Sequence, residues 1–529
     1  MRFLLINPFY PISETPSPPL GLAYLAAALE TAGVEVKVLD FVVFPYSKKI
    51  IESVLKEFSP DFVGVTAVTM TFDNAVRIIR DTKRIDPDIL TVMGGPHVTF
   101  CAPDVLKSCP EIDVVVVGEG EETIVDLVRT AKGTSGWHTV KGLVFRNGAA
   151  IITTPKRELI GNIDDLAEPA RQLLPLGRYR ALGMPVSMTT SRGCPFKCIF
   201  CIGRKMGGQT VRYRNPQKVV DELESLSILN FNQINIADDL FTANKKHCFA
   251  ICNELIKRGV KVAWSAFARV DTLSKDLLKL MKEAGCHTLG FGVESADAGI
   301  LEHINKGITI GQVIQAIDAC LETGITPQAS FILGLPGETP ETLKETVRFG
   351  EELKKMGVLH GYHLLAPFPG TEVRENSDAY GIKIISHDWS EYHANRAIVE
   401  TSTVNQKMLN DVVIAWEREF DEYLGEIKRR METGEATEEE AWQLKRLEYT
   451  VAIYDLMMGQ LIEQKGHVPV GENSWSDIEA LQRLSGELSE STSYTAAQLF
   501  DALKFALEQG YIRQRADTVK NQWEWVDFL

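Results

Sequence analysis

Short apolar runs alternate with helically spaced stretches through the first 150 positions. Arg2 to Ile6 reads as a strand, Leu20 to Ala32 as an apolar-rich helix closed by Gly33, and Glu35 to Leu39 as a second strand ending at Asp40. Ser47 to Phe58 has helical spacing and leads into Phe62 to Val68, whose continuous β-branched character fits a parallel strand covered on both faces. Leu90 to Met93 and Val114 to Val117 complete the series. The first runs into Gly94-Gly95-Pro96-His97 and the second into Gly118-Glu119-Gly120. This alternation predicts an α/β, doubly wound Rossmann-like domain over residues 1–150. In such a sheet ligands lie beyond the carboxyl ends of the strands, where these glycines fall.

A proline-punctuated segment, 151–185, reads as an interdomain linker. A second βα series starts at Ser187, with strands expected at Ser187 to Thr190, Gln233 to Ala237, Val262 to Phe267, Thr288 to Gly292, Gln328 to Leu333 and Tyr362 to Ala366. Helical stretches such as Gln217 to Leu229 and Thr339 to Met356 separate them. Six such units over 186–390 predict an open, partial (β/α)6 barrel. From 391 to 529 the spacing becomes that of long helices, Lys407 to Thr433, Thr437 to Lys465 and the shorter Thr495 to Gln509, which predicts a helical C-terminal domain whose end is a unit of winged-helix size.

Composition narrows the function classes. A chain of 529 residues with 45% apolar content suits about three domains with their own cores. The balance of 56 basic against 71 acidic residues, a net charge of −15, argues against a broad grip on nucleic acid or anionic lipid. The longest apolar runs fall short of a membrane span, and the N-terminal run stops at Asn7-Pro8, too early for a signal peptide, so a cytoplasmic location is expected. Nine cysteines in a reducing compartment are thiols, core residues or metal ligands before they are disulfides.

Three of the nine stand at C-x3-C-x2-C spacing directly after the first barrel strand, in Ser191-Arg192-Gly193-Cys194-Pro195-Phe196-Lys197-Cys198-Ile199-Phe200-Cys201. A loop of this spacing can wrap three corners of a cubane iron–sulfur cluster and leave the fourth iron free for a ligand. Read alone, the three thiols could also be core residues or a zinc site. Zinc usually takes four ligands in two pairs, however, and no second pair at suitable spacing follows. Cys248 and Cys252, at i and i+4, and the isolated Cys286 and Cys320 read as packing residues.

The triplet and the strand ends that follow resemble the radical S-adenosylmethionine (radical SAM) superfamily. The resemblance implies a [4Fe-4S] cluster on Cys194, Cys198 and Cys201 that binds S-adenosylmethionine and cleaves it to a 5′-deoxyadenosyl radical. Where the family usually has a Gly-Gly-Glu-like turn, this chain has Asp238-Asp239, a variant of the branch that begins with a cobalamin domain. By the same resemblance Arg269 would meet the methionine carboxylate, Glu294 the ribose hydroxyls or the ammonium, and Gly334 in Gly334-Leu335-Pro336-Gly337-Glu338 the adenine.

A doubly wound domain before such a barrel resembles the cobalamin-binding radical SAM subfamily, over about residues 1–390. The glycine turns would then receive cobalamin. Gly94 and Gly95, with His97 in the same turn, let backbone approach a large flat ligand, and Gly118, Glu119 and Gly120 open a helix against its tail. The Asp-x-His-x-x-Gly element that puts an imidazole on cobalt is absent. Thr69, Met70 and Thr71, after the third strand, are therefore the residues expected beneath the metal.

The activity implied is methylation of an unactivated carbon of a small molecule or of a peptide or protein side chain, such as a glutamine of methyl-coenzyme M reductase. An electron donor of flavodoxin or ferredoxin type would serve it. A cobalamin-dependent cyclase or ring-rearranging enzyme is the alternative within the family. A non-catalytic cobalamin carrier or sensor leaves the triplet without a purpose. Tyr362, His363, His387, Trp389, Tyr392 and His393 are candidates for the substrate wall.

Overall fold

The computed structural model describes residues 1–9, 16–130, 134–468, 476–516 and 521–529. The N-terminal unit is built on five parallel strands, β1 (Arg2–Asn7), β2 (Glu35–Asp40), β3 (Phe62–Thr66), β4 (Leu90–Gly94) and β5 (Val114–Val116). An antiparallel hairpin, β6 (Leu143–Asn147) and β7 (Ala150–Thr153), adds two more, so the order is β2-β1-β3-β4-β5-β6-β7. The hairpin was not expected, and it carries the sheet past residue 150. Gly148, at φ 61°, turns it.

Period-two alternation divides the sheet between two cores. Leu4, Ile6, Val63, Val65 and Met93 pack under the helices Phe72–Ile85 and Pro96–Ser108, while Phe3, Leu5, Phe62 and Val92 meet Leu20–Thr31 and Glu121–Arg129. Each of these fully buried side chains contributes about 1.5–3 kcal/mol relative to exposure.

The second unit contains β8 (Val186–Met188), a two-stranded ribbon of β9 (Ser191–Arg192) and β10 (Arg212–Tyr213), then β11 (Ile234–Ile236), β12 (Trp264–Ala268), β13 (Cys286–Glu294), β14 (Thr326–Leu333) and β15 (Leu359–Leu364). Six of them pair in parallel in the order β15-β14-β13-β12-β11-β8. Because β8 and β15 do not pair with each other, this is the expected open partial barrel. Helices Lys275–Glu283, Ile310–Thr323 and Pro340–Lys355 cover its outer face, each started by a Ser or Thr whose side chain accepts an amide of the first turn. The inner face is mixed: Gln233 donates to Asn235 and to Ser265 at 2.5 and 2.7 Å, and beside them the apolar Phe267 stands 60% exposed.

Beyond a short ribbon, β16 (Lys383–Ile384) and β17 (Val399–Glu400), come the helices Gln406–Thr433 and Glu438–Met458. The helix expected to run to Lys465 breaks at Gly459-Gln460, where Gln460 has φ 50°, and resumes as Leu461–Lys465. The helical C-terminal region also holds a small antiparallel sheet, β18 (His467–Val468), β19 (Ile512–Ala516) and β20 (Asn521–Trp525), whose Trp523 and Trp525 are core residues. It packs against Val42 and Val43 beyond β2 and against the linker helix Leu176–Ala181. Arg178 of that helix is buried and pairs with Asp527 and Glu463. No helix among the described residues is long and apolar enough to cross a membrane.

Candidate active site between the two sheets

The cysteine loop leaves the carboxyl end of β8 and is anchored from β11. Asp238 is buried and its two oxygens accept four hydrogen bonds, from the backbone amides and hydroxyls of Thr190 and Ser191, at 2.6–3.1 Å. Burial pushes its carboxyl above the ordinary range in spite of those donors. Asp239 accepts the Gly193 amide at 3.0 Å. Gly193 has φ 107°, and a Cβ there would stand within 3.0 Å of the carbonyls of Gly207, Gly208 and Thr210. Nothing but glycine fits that approach.

The thiols of Cys194 and Cys198 are half-buried and Cys201 is exposed. Burial of the sulfur raises all three, and it raises Cys201 to about 11 although that residue as a whole is exposed. Arg269 and Lys306 act in the opposite direction on Cys194 and Cys198. Among the described residues no three His, Cys, Asp or Glu side chains converge on a single-ion site. The three thiols act electrostatically on one another, and donors at C-x3-C-x2-C spacing suit three corners of an iron–sulfur cluster.

Three strand-end residues face different tasks. Arg269 spends four of its five N–H donors inside the protein, two on Asp271 at 2.9 and 3.0 Å and two on the carbonyls of Lys306 and Gly307. Its guanidinium lies 3.6 Å from the ring centroid of Phe196, so it supports the cysteine loop and keeps one N–H for a ligand. Glu294 ends β13 at φ 69°, in the left-handed region, and pairs with Lys306 at 2.6 Å. Strain of this kind in a buried charged residue is typical of binding sites. Gly334, at φ 85°, donates its amide to Glu338 at 2.6 Å, and burial pushes the Glu338 carboxyl up to about 7.

At the carboxyl ends of β1, β3, β4 and β5 lies a cavity of about 600 Å³. Gly94, Gly95, Gly118 and Gly120 form much of its wall, with Asn7, Met70 and the barrel's Met206. Gly95 has φ 105°, and a Cβ there would press to 2.6 Å from the Ala67 carbonyl. A cavity of this size with bare glycine backbone at four strand-end positions suits a large planar cofactor. Of the three residues expected beneath the metal, Met70 and Thr71 line the cavity, whereas Thr69 turns inward toward His97.

His97 requires correction as a cofactor contact. Its ring is sealed between Phe72 and Trp389, at 4.4 and 4.9 Å, with Nδ1 3.3 Å from the Thr69 hydroxyl. It does not line the cavity, and burial beside the Arg374 charge pulls it down to about 4. An aromatic ring next to two glycines was packing material. Trp389 and Tyr392 belong to the same aromatic stack, over Arg374, and Tyr362 faces Phe331 and Trp416.

A second cavity, of about 780 Å³, reaches Cys198 and Cys201 and shares Gly118, Glu119 and Met206 with the first. Glu119 also joins the units by ion pairs with Arg192 and Arg212 on the two sides of the cysteine loop. Burial alone would raise its carboxyl, but Arg212, the Ile160 amide and Arg192 outweigh it and hold it below the usual range. Lys306, Arg192 and Arg212 were missed in the sequence. Only Arg192, two positions before Cys194, carries a local signal.

The B12 binding domain family matches residues 13–128, and the Radical SAM superfamily matches residues 188–350. An uncharacterized methyltransferase of Pyrococcus horikoshii, PH0819, is 36% identical over 403 residues, which span 74% of this chain and 86% of that protein. The anaerobic magnesium-protoporphyrin IX monomethyl ester cyclase of Cereibacter sphaeroides is 32% identical over 442 residues, spanning 79% and 70%. Among solved structures, the radical S-adenosylmethionine methyltransferase TsrM of Kitasatospora setae, with cobalamin and a [4Fe-4S] cluster bound, aligns at TM-score 0.64 and 20% identity over 78% of this chain and 90% of that one. OxsB, a cobalamin-dependent S-adenosylmethionine radical enzyme, aligns at 0.67 and 18% identity over 97% and 81%. At those identities the two structures speak for the fold.

Proposed function

The chain belongs to the B12-binding radical SAM enzymes, and from that premise we propose that it is a cobalamin-dependent methyltransferase acting on an unactivated carbon. The observation that carries this reading is the shared wall of the two cavities. A cradle suited to cobalamin and a recess that reaches two of the three cysteines meet at Gly118, Glu119 and Met206. When bound, the [4Fe-4S] cluster and S-adenosylmethionine supply hydrogen-atom abstraction, and cobalamin supplies the methyl group.

The chain's own part is to hold and orient. Cys194, Cys198 and Cys201 hold the cluster, and Asp238 and Asp239 fix the loop that presents them. Arg269 braces Phe196 and offers its remaining N–H to a carboxylate. Glu294, aimed by Lys306, accepts from ribose hydroxyls or an ammonium, and Gly334, at φ 85°, turns the backbone after β14 toward a flat base. Gly94, Gly95, Gly118 and Gly120 admit cobalamin, with Met70 and, among the described residues, no imidazole in the cavity wall. The substrate is a small molecule or a peptide side chain, a glutamine such as that of methyl-coenzyme M reductase among them, received on the inner face near Asn235 and Ser265.

A second reading, oxidative cyclisation without methyl transfer, is favoured by the relative from Cereibacter sphaeroides. The two separate on one measurement. Anaerobic reconstitution with iron, sulfide, cobalamin and methyl-deuterated S-adenosylmethionine should give 5′-deoxyadenosine and S-adenosylhomocysteine in equal amounts, with label in the product. Deoxyadenosine formed during turnover without S-adenosylhomocysteine rejects the methyltransferase in favour of the cyclase.

A further inference from the structure

The wall of the barrel lumen carries almost no charge. In a chain where 24% of residues are charged, the strands of the six-stranded sheet hold a single Asp, Glu, Lys or Arg, and that is Glu294 at the last position of β13. Strand parity divides the other positions between the two faces. On β12, Trp264, Ala266 and Ala268 are buried in the core shared with the outer helices, so Ser265 and Phe267 point inward. On β14, Ala329, Phe331 and Leu333 are buried in the same core, so Gln328 and Ser330 point inward. His363 of β15 faces the lumen from the edge of the sheet.

Phe267 stands 60% exposed within this wall, and the neighbouring strand provides its seat. A Cβ at Gly290 would stand 2.8 Å from Cδ1 and 2.9 Å from Cε1 of the Phe267 ring, so only glycine lets the ring lie over β13 with its other side open to the lumen. The amides beside it are set to leave donors free. The Asn235 carbonyl oxygen accepts from Gln233 and from the Ser265 hydroxyl, at 2.5 and 2.6 Å, which fixes the side chain and leaves its NH2 without a partner among the described residues. Gln328 and Ser330 are likewise uncommitted among the described residues. Phe267 lies two positions before Arg269, and Ser330 pairs in register with Gly292, two positions before Glu294. The ring and the free amides thus sit just below the strand ends assigned to S-adenosylmethionine.

Resting on the functional reading above, we propose that the lumen takes an uncharged substrate, which lays a flat apolar ring on Phe267 and meets Asn235 and Gln328 through a carbonyl or hydroxyl at the ring's edge. A carboxylate or phosphate drawn into this wall would lose water without gaining a cation. Lys306 is spent on Glu294, and Arg269 is held by Asp271 and by two backbone carbonyls. A cationic substrate would find no carboxylate on the strands except the one already paired. A flat ring gains from the area it removes from water and from its packing against a second ring. Phe267 is then a specificity-determining residue, and Gly290 acts through it as a positioning residue.

The test uses the reconstituted holoenzyme with S-adenosylmethionine and no reductant, titrated by ligand-observed NMR with four probes. Naphthylacetamide is flat and neutral, naphthylacetate flat and anionic, cyclohexylacetamide neutral and puckered, and N-acetylglutaminamide neutral without a ring. Naphthylacetamide should bind about tenfold more tightly than each of the others. Phe267→Leu should erase its advantage over cyclohexylacetamide, and Phe267→Tyr should keep it. Gln328→Arg should turn the preference toward naphthylacetate. The iron–sulfur chromophore of each variant checks that the barrel has folded around its cluster. Naphthylacetate bound as tightly as the amide by the wild type overturns the uncharged substrate. An unchanged preference in Phe267→Leu overturns the platform, and N-acetylglutaminamide bound as tightly as naphthylacetamide does so in favour of a bare amide site. Binding of no probe by a holoenzyme that cleaves S-adenosylmethionine once reductant is added overturns the proposal and leaves the functional reading standing. A wild-type protein that forms no iron–sulfur chromophore overturns both.

Discussion

Replacing Lys306 by Met isolates the most confined ion pair of the candidate site. The Lys306 and Glu294 side chains are 9% and 7% exposed and meet at 2.6 Å. A Cβ at Gly292 would stand 2.1 Å from the Glu294 Oε1 and 2.8 Å from the Lys306 Nζ, so the pair has little room to rearrange. Met keeps most of the stem volume but leaves a carboxylate buried without its partner, which costs about 3–5 kcal/mol. For a unit the size of the barrel each kcal/mol lowers Tm by about 2–4 °C, so a fall of about 10 °C is expected. Urea unfolding should show the loss in the midpoint with the slope unchanged. The double variant Lys306→Met/Glu294→Gln should recover most of the stability, because the penalty belongs to the stranded charge and not to the missing bond. It should not recover S-adenosylmethionine affinity, since the carboxylate is gone. A single variant that loses less than about 1 kcal/mol, or a double variant no better than the single, refutes the assignment of Glu294 as a charge held in place for a ligand.

Other outcomes follow from the same geometry. Burial holds the His97 imidazole near 4, below its unfolded value, so the native state fails to take up a proton that the unfolded chain accepts; stability should fall by about 3 kcal/mol as pH drops from 6.5 to 4, and His97→Phe should flatten that slope in denaturant titrations. Gly95→Ala should cost about 1–3 kcal/mol and release cobalamin, read as lost corrin absorbance, whereas Gly33→Ala, with φ 79° but nothing within 4 Å, should retain it; equal retention in both contradicts the cradle. Cys198→Ala should abolish the iron–sulfur chromophore and S-adenosylmethionine cleavage while the protein stays folded, and Cys252→Ala, a core change, should preserve both.

The five parallel strands of the first sheet and the six of the barrel were legible because strand-like runs of four to seven residues between helical repeats are a strong local signal. The β6–β7 hairpin was not, since Leu143–Asn147 and Ala150–Thr153 are short and follow a helix without a second parallel unit. Adjacent aspartates at 238 and 239 carry no mark in the sequence of which one ties the strand end and which approaches the cysteine loop. Their separate roles emerge only from the register of β8 beside β11. Lys306 meets Glu294 from a loop twelve positions downstream, beyond any helix or strand period. The polar alternation of Gln233, Asn235 and Ser265 could have been noticed, because strands covered on both faces rarely show it.

The four hydrogen bonds from the Thr190 and Ser191 backbone and hydroxyls to Asp238 give the cysteine loop an anchor that owes nothing to iron. Many small metal sites exist only while the ion is present, and their proteins unfold on its loss. Tied in this way, the loop should keep its fold when the cluster is removed by a chelator, and iron and sulfide should then restore the chromophore without refolding.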